Sequence, residues 1–394
     1  MQHPLAAWQA EKYELSFRDM RITLIHYSAP PIIGGVERIV AEQIEILRKN
    51  GHHVSLACFS GGQSINCECL IPLSHEAPTE QLEVYLAASL SGMDVVLMHN
   101  VCTMPFSLPL TRALRNLSAK LPATRWIAWV HDLAAGNPDY STLSDSENQA
   151  VLGTRCTTWE YVAISKSRAL EVVERLKTDC KVIPNGIDLR STLNLCPKIV
   201  TLAEACGWWD SDLILLQPAR LIPRKAVEVG LHLVCELKKK LNIQYLVTGA
   251  SDPHNNTWSN YANSLRSTIN ELELNLHVTI LQDRHAIGAH QLSSVYAIAD
   301  ALFFPSHSEG FGLPMLEAAA FRLPAFCADH EPLNSLPGAR PFPPKLSIPE
   351  LCEWVIQQTS RLETIKARNS LTKTYRWQAI YRNFLAPLLE HPQT

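Results

Sequence analysis

Residues 21–59 read RITLIHYSAPPIIGGVERIVAEQIEILRKNGHHVSLACF, and the fold turns on how they are parsed. RITLIHYSA opens as an apolar run of strand length. In the stretch that follows, Val36, Ile39, Val40, Ile44 and Leu47 recur at spacings of three and four, which places them on one face of a helix. Arg48 and Lys49 fall in its last turn and Gly51 just beyond, the charge and cap signals that end a helix. HHVSLACF then reads as a second buried strand. Strand, helix, strand is a βαβ unit, which requires a parallel sheet whose ligands bind at the carboxyl ends of the strands.

The same alternation continues outward. DVVLMHN from Asp94, RWIAWVHD from Arg125 and TTWEYVAIS read as strands, KSRALEVVERLK as a helix, and KVIPNGIDL as a short strand with an Asn185-Gly186 turn. A second series follows: DLILLQPAR (strand), RKAVEVGLHLVCELKKK (helix), IQYLVTGA and LHVTILQD (strands), QLSSVYAIAD (helix), ALFFPS (strand) and PMLEAAAF (helix). Two α/β series imply two doubly wound domains, with their boundary near residues 186–198 and a ligand cleft between the two sheets.

Composition limits what such a chain can do. Its 394 residues are 46% hydrophobic and 19% charged, a globular balance. A formal charge of −3 argues against broad binding to nucleic acid, which needs clustered Lys and Arg. The 11 cysteines are odd in number and irregularly spaced, so they read as reduced and cytosolic. No apolar run of about 18 residues spans a membrane, and the first 20 residues make a poor secretory signal. Cys67-Glu68-Cys69 lacks a second ligand pair for zinc. Neither a P-loop nor a dinucleotide fingerprint occurs.

The chemistry gathers in ADALFFPSHSEGFGLPMLEAAAFRLP, residues 299–324. A strand delivers a polar loop, Gly310 and Gly312 let backbone approach a ligand, and Pro314 suits the first turn of a helix starting near Leu313. Free N–H groups and the helix dipole there favour an anion, with phosphate the natural candidate. Glu309 in the loop and Glu317 in the second helical turn offer carboxylates suited to sugar hydroxyls. In LQPARLIPRK, Arg220 and Lys225 follow another strand at the start of a helix, and two cations with a helix N-terminus suit a diphosphate. His131, at the end of RWIAWV, reads either as a structural hydrogen-bonder or, at the mouth of the cleft, as a neutral imidazole that can donate to a sugar hydroxyl.

PARLIPRK, YAIADALFFPS, SEGFGLPMLE with its E-x7-E spacing, GGVERI and VIPNGID together resemble the retaining glycosyltransferases of family 4, from about residue 21 to about residue 390. Ala226 departs from that pattern where Gly usually follows the Lys, and Phe321-Arg322 replaces a small residue plus Gly. The resemblance implies a GT-B fold, two Rossmann-like doubly wound domains facing a central cleft. It divides the chain into a lead (1–20), an acceptor-binding domain (21–190), a nucleotide-sugar-binding domain (191–373) and a C-terminal helix returning to the first domain (374–394). That helix carries Trp377, Ile380, Tyr381, Phe384 and Leu388 at helical spacing.

By the same resemblance Arg220 and Lys225 bind the donor diphosphate, Glu317 the ribose and Glu309 the donor sugar, while backbone N–H groups across Gly310, Phe311, Gly312 and Leu313 meet phosphate and sugar. Gly34 and Gly35 form a loop closing on the diphosphate, His131 sits beside the transferred sugar, and Gln282, Asp283 and Arg284 lie near the base. The implied reaction is retaining transfer of a hexose from a nucleotide diphosphate sugar to a glycan, lipid-linked or small-molecule acceptor. No D-x-D ends a strand, so the expectation is no metal and no cofactor, in a cytoplasmic protein whose membrane contact is at most peripheral. A sugar-nucleotide epimerase and a non-catalytic nucleotide-sugar binder are the alternative readings. Front-face attack and a covalent intermediate both remain open.

Overall fold

The computed structural model describes residues 19–63, 69–134, 140, 150–249, 259–284 and 286–390. Most of the N-terminal lead and Cys67-Glu68 therefore lie outside the described residues. The chain forms two compact units, one running to Asp188 and resuming at Tyr375, the other spanning Leu189–Thr374.

The first unit holds seven strands: β1 (Arg21–Ile25), β2 (His53–Cys58), β3 (Cys69–Leu70), β4 (Val95–His99), β5 (Arg125–Val130), β6 (Trp159–Ala163) and β7 (Lys181–Val182). Their order is β3-β2-β1-β4-β5-β6-β7, and every ladder is parallel. Successive side chains point to opposite faces of a strand. Accordingly Ile22 and Leu24 pack with Val40, Ile44 and Leu47 of the helix Gly35–Lys49, whereas Ile25, Val96 and Met98 pack with the helices Thr79–Leu90 and Leu108–Lys120.

The C-terminal segment joins the first of these cores. Trp377, Ile380, Tyr381, Leu385, Leu388 and Leu389 are buried beside Ile22 and Leu97, and Trp377 Nε1 donates to Glu42 at 2.6 Å. One uninterrupted helix was expected, but Tyr381–Leu385 winds as a π-helix between the α-helical pieces Trp377–Ile380 and Ala386–Glu390. The wider turn shifts the buried face, which brings in Leu385 and Leu389. Gly186, expected to serve a turn, instead makes room: a Cβ there would come within 2.4 Å of the Trp377 ring.

The second unit holds β8 (Leu213–Gln217), β9 (Ile243–Val247), β10 (Val278–Ile280), β11 (Ala301–Phe304), β12 (Ala325–Cys327) and β13 (Ala339–Pro341), ordered β10-β9-β8-β11-β12-β13 and again all parallel. Two expected elements are shorter than their apolar patterns. The helix after β8 begins only at Val227, because Pro223–Lys225 forms a 3-10 turn and Ala226 takes a left-handed φ of 49°. The strand expected through LHVTILQD ends at Ile280, and Leu281–Asp283 is a 3-10 turn. In both sheets the strand order reverses at one place, between β1 and β4 and between β8 and β11. Loops leaving the carboxyl ends there diverge to opposite sides and open a crevice for ligands.

Candidate functional site

In the second unit the loops after β8 and β11 bring together residues separated by more than eighty positions. Gln217, the last residue of β8, donates from its amide to the Lys225 carbonyl at 2.7 Å and accepts from the Tyr245 hydroxyl. That fixes the turn carrying Lys225 from beneath. Lys225 Nζ pairs with the Glu309 carboxylate and lies 5.0 Å from the centre of the Phe304 ring. Burial draws the ammonium below its ordinary pKa; Glu309 opposes this, and Arg224 and Arg220 reinforce it.

Arg224 donates to the Ser308 carbonyl at 3.0 Å and sits 3.4 Å from Glu309, while His307 N donates to the Arg224 carbonyl at 2.8 Å. The Lys225 and Glu309 side chains are only 10% and 7% exposed, against 48% for Arg224. The buried pair is thus the floor of the cluster and Arg224 its open edge. Arg220 is exposed and close enough to repel Lys225, so three cationic side chains gather in the loop beside the buried Glu309, an arrangement that suits a diphosphate ester.

Beyond Glu309 the backbone opens. A Cβ on Gly310 would meet nothing within 4 Å. Gly312 is required: it caps the helix Leu313–Ala320 at a φ of 96°, and a Cβ would come to 3.0 Å from Leu333 and Leu336. No side chain caps the helix start; Pro314 carries no N–H and Met315 N–H donates to the Gly312 carbonyl at 2.9 Å, so it is the Leu313 N–H that is left for a ligand or solvent. Phe311 and Leu313 hold exposed apolar side chains on either side.

Glu317 is exposed on the same helix and accepts from the Tyr296 hydroxyl at 2.6 Å; the Tyr296 ring is stacked on Phe321, with centroids 5.4 Å apart and 11° between planes. Burial and the carboxylate raise the Tyr296 phenol, keeping it a donor. Asp283 is engaged by Arg266 through contacts of 2.9 and 2.7 Å, and Gln282 and Arg284 are exposed beside it.

Sequence reasoning missed three participants here. Arg224 adjoins Lys225, and its charge was the available signal. Tyr296 lay unremarked in a helical apolar pattern. His330, after β12, places Nε2 at 2.7 Å from the Ser306 carbonyl and Nδ1 at 2.8 Å from that of Glu331. Two carbonyl acceptors favour the doubly protonated ring, and these bonds raise its pKa.

The first unit gathers imidazoles at its own switch point. His26 follows β1, His99 ends β4 and His131 follows β5. His26 Nδ1 donates to the His99 carbonyl at 2.8 Å, and His99 Nδ1 lies 3.0 Å from His131 Nε2. Asn100, at a left-handed φ of 60°, accepts through its side-chain oxygen from the backbone N–H of His131 and Asp132 at 2.8 and 3.0 Å. Asp132 pairs with Arg168 at 3.0 Å. Burial, with help from His26, pushes the His131 imidazole down to about 3.

Gly34 precedes the helix start with extended backbone, and Gly35 is its first residue. A Cβ on Gly34 would fall 1.9 Å from the Glu37 carboxylate, which accepts from Ser28 at 2.6 Å; a Cβ on Gly35 would meet nothing. Gly34 therefore makes room for a carboxylate of this chain, a role the sequence did not disclose.

The two sheets and their loop clusters define a two-domain Rossmann-like α/β protein with a cationic centre in its second unit. Residues 33–191 match the model for Glycosyltransferase Family 4, and residues 204–336 that for Glycosyl transferases group 1. The chain belongs to this glycosyltransferase family. It is 34% identical over 123 residues to the O-antigen chain mannosyltransferase RfbU of Salmonella typhimurium, an alignment covering 25% of this chain and 34% of that protein. It is 28% identical over 193 residues to the mannosylglucosylglycerate synthase of Petrotoga mobilis, covering 43% and 44%. The chain thus spans less than half the length of these curated relatives. A glycosyltransferase structure from Rickettsia africae ESF-5 aligns over 96% of this chain and 100% of its own, at 16% identity and a TM-score of 0.38.

Proposed function

We propose that the protein is a retaining glycosyltransferase that moves a hexose from a nucleotide diphosphate sugar to an acceptor hydroxyl without a metal ion. One observation carries this reading: the buried Lys225–Glu309 pair, flanked by Arg224 and Arg220, at the reversal point of a doubly wound sheet. Cleaving the bond between the anomeric carbon and the diphosphate oxygen sends its electron pair to the leaving phosphate. Fixed cations and free N–H groups stabilise that developing charge, commonly the largest catalytic contribution.

In this scheme Arg220, Arg224 and Lys225 hold the diphosphate, and backbone N–H groups from Gly310 to Leu313 meet phosphate and sugar. Once Lys225 gains a phosphate partner, Glu309 can turn an oxygen to a donor-sugar hydroxyl. Glu317, oriented by Tyr296, takes the ribose hydroxyls, and Gln282 to Arg284 border the base. In the first unit, His131 donates to a hydroxyl of the transferred sugar. With three cations supplied by the protein, no divalent ion is required at the leaving group.

The names of both curated relatives contain a mannosyl group, so mannose is the first sugar to test. The acceptor is a glycan, a lipid-linked sugar or a small molecule, and the protein acts in the cytoplasm or at the inner face of a membrane. Among the described residues no helix is long and apolar enough to cross a membrane. The test incubates the protein with GDP-, UDP- and ADP-sugars in EDTA, with and without acceptors, and follows nucleotide release and anomeric configuration. Acceptor-dependent release with retained configuration supports the proposal. Isomerisation without acceptor, or binding without turnover, would replace it.

A further inference from the structure

The end of β4 holds an imidazole that the reaction scheme leaves unused. His99 is wholly buried, stacked along Trp129 with ring centroids 5.5 Å apart, and its Nδ1 lies 3.0 Å from Nε2 of His131. Its other nitrogen, Nε2, is buried with no hydrogen-bond partner among the described residues. The nearby titratable groups are His26, which donates to the His99 carbonyl, and Glu37, whose carboxylate lies 3.8 Å from His26 Nε2. Burial lowers the pKa of all three rings, so the His99–His131 contact is one between neutral imidazoles.

Such a contact needs one proton between the two nitrogens, and there are two ways to supply it. If His131 donates from Nε2, neutral His99 must carry its own proton on Nε2, leaving a buried N–H with nothing to bind. If His99 donates from Nδ1, its Nε2 holds only a lone pair. Orphaned buried N–H groups are the rarer and costlier defect, so the second arrangement prevails. His131 then accepts at Nε2 and bears its proton on Nδ1.

We propose that His99 is a positioning residue that fixes His131 in its Nδ1–H tautomer, so that His131 meets a ligand oxygen as a hydrogen-bond donor. The catalytic consequence rests on the reading of His131 as a contact to the transferred sugar; the tautomer itself does not. A donor at this point selects a sugar carrying an oxygen in its reach and gives no advantage to one lacking it.

The test uses the full chain labelled with 15N at histidine, with His99→Leu and His99→Asn beside the wild type. Leu removes the donor. Asn restores an amide N–H near the position of Nδ1. Nitrogen–proton correlation spectra should show His131 protonated on Nδ1 in the wild type and in His99→Asn, and redistributed toward Nε2 in His99→Leu. Donor kcat/KM should fall about tenfold in His99→Leu, the worth of one hydrogen bond, and His99→Asn should recover most of it. A wild-type His131 protonated on Nε2 would overturn the proposal, as would equal losses in both variants with an unchanged tautomer. If no sugar nucleotide is turned over even by the wild type, the functional reading fails, while the spectra still decide the tautomer.

Discussion

Single residues carry the places where this chain stretches its fold. Both departures from the family pattern fall in the left-handed region, Ala226 at a φ of 49° and Arg322 at 60°, which explains why glycine is usual at those points. Arg322 is exposed, so relief of its backbone has no packing cost. Arg322→Gly should raise unfolding stability by about 1 kcal/mol, read from denaturant midpoints; an equal loss would show the conformation to be harmless. The buried imidazoles act the other way with pH. Unfolded, these rings protonate near pH 6.5, whereas His131 stays neutral in the native state down to about 3. Between those values only the unfolded chain binds the proton. Stability is therefore full above about pH 6.5 and falls with acidification, by about 1.4 kcal/mol per pH unit for each ring so held. Denaturant titrations at pH 7 and pH 5 should show the fall, and His131→Gln should reduce it.

At the scale of elements, the C-terminal segment is a structural part of the first unit. Its apolar residues complete the core around Ile22 and Leu97, and the Trp377 ring occupies the space that Gly186 leaves open. Trp377→Ala should destabilise the protein by about 3–5 kcal/mol, the usual range for emptying a buried aromatic site, measured by equilibrium unfolding; a change below about 1 kcal/mol would mean the segment is only laid against the surface. The βαβ alternation was legible because apolar periodicity of 3.6 and of 2 report directly on burial. The start of the helix at Val227 was not, since Ala226 continues the helical pattern as a good helix former while its backbone takes the left-handed region. Nor did LHVTILQD disclose its 3-10 end, because buried apolar residues look alike in a strand and in a turn.

For the whole molecule, both units share a six-strand order to which the first adds β7 at its edge, and each gathers polar side chains where the order reverses. Lys225, Glu309 and Glu317 were readable from their local motifs, each sitting beside a strand end or helix start. The imidazole pair and the Arg224 contact were not, because β4 and β5, or the loops after β8 and β11, become neighbours only through parallel crossovers; nor was the Tyr296 contact, which joins the helices on either side of β11. The central claim is that fixed side-chain cations stabilise the departing diphosphate. Its most direct test is donor kcat/KM in EDTA for the wild type and Lys225→Ala. We predict an active wild type and a loss of about a hundredfold or more in the variant, the effect of removing one charge-stabilising donor; a wild type silent until Mg²⁺ is added, or a variant matching it, would contradict the account.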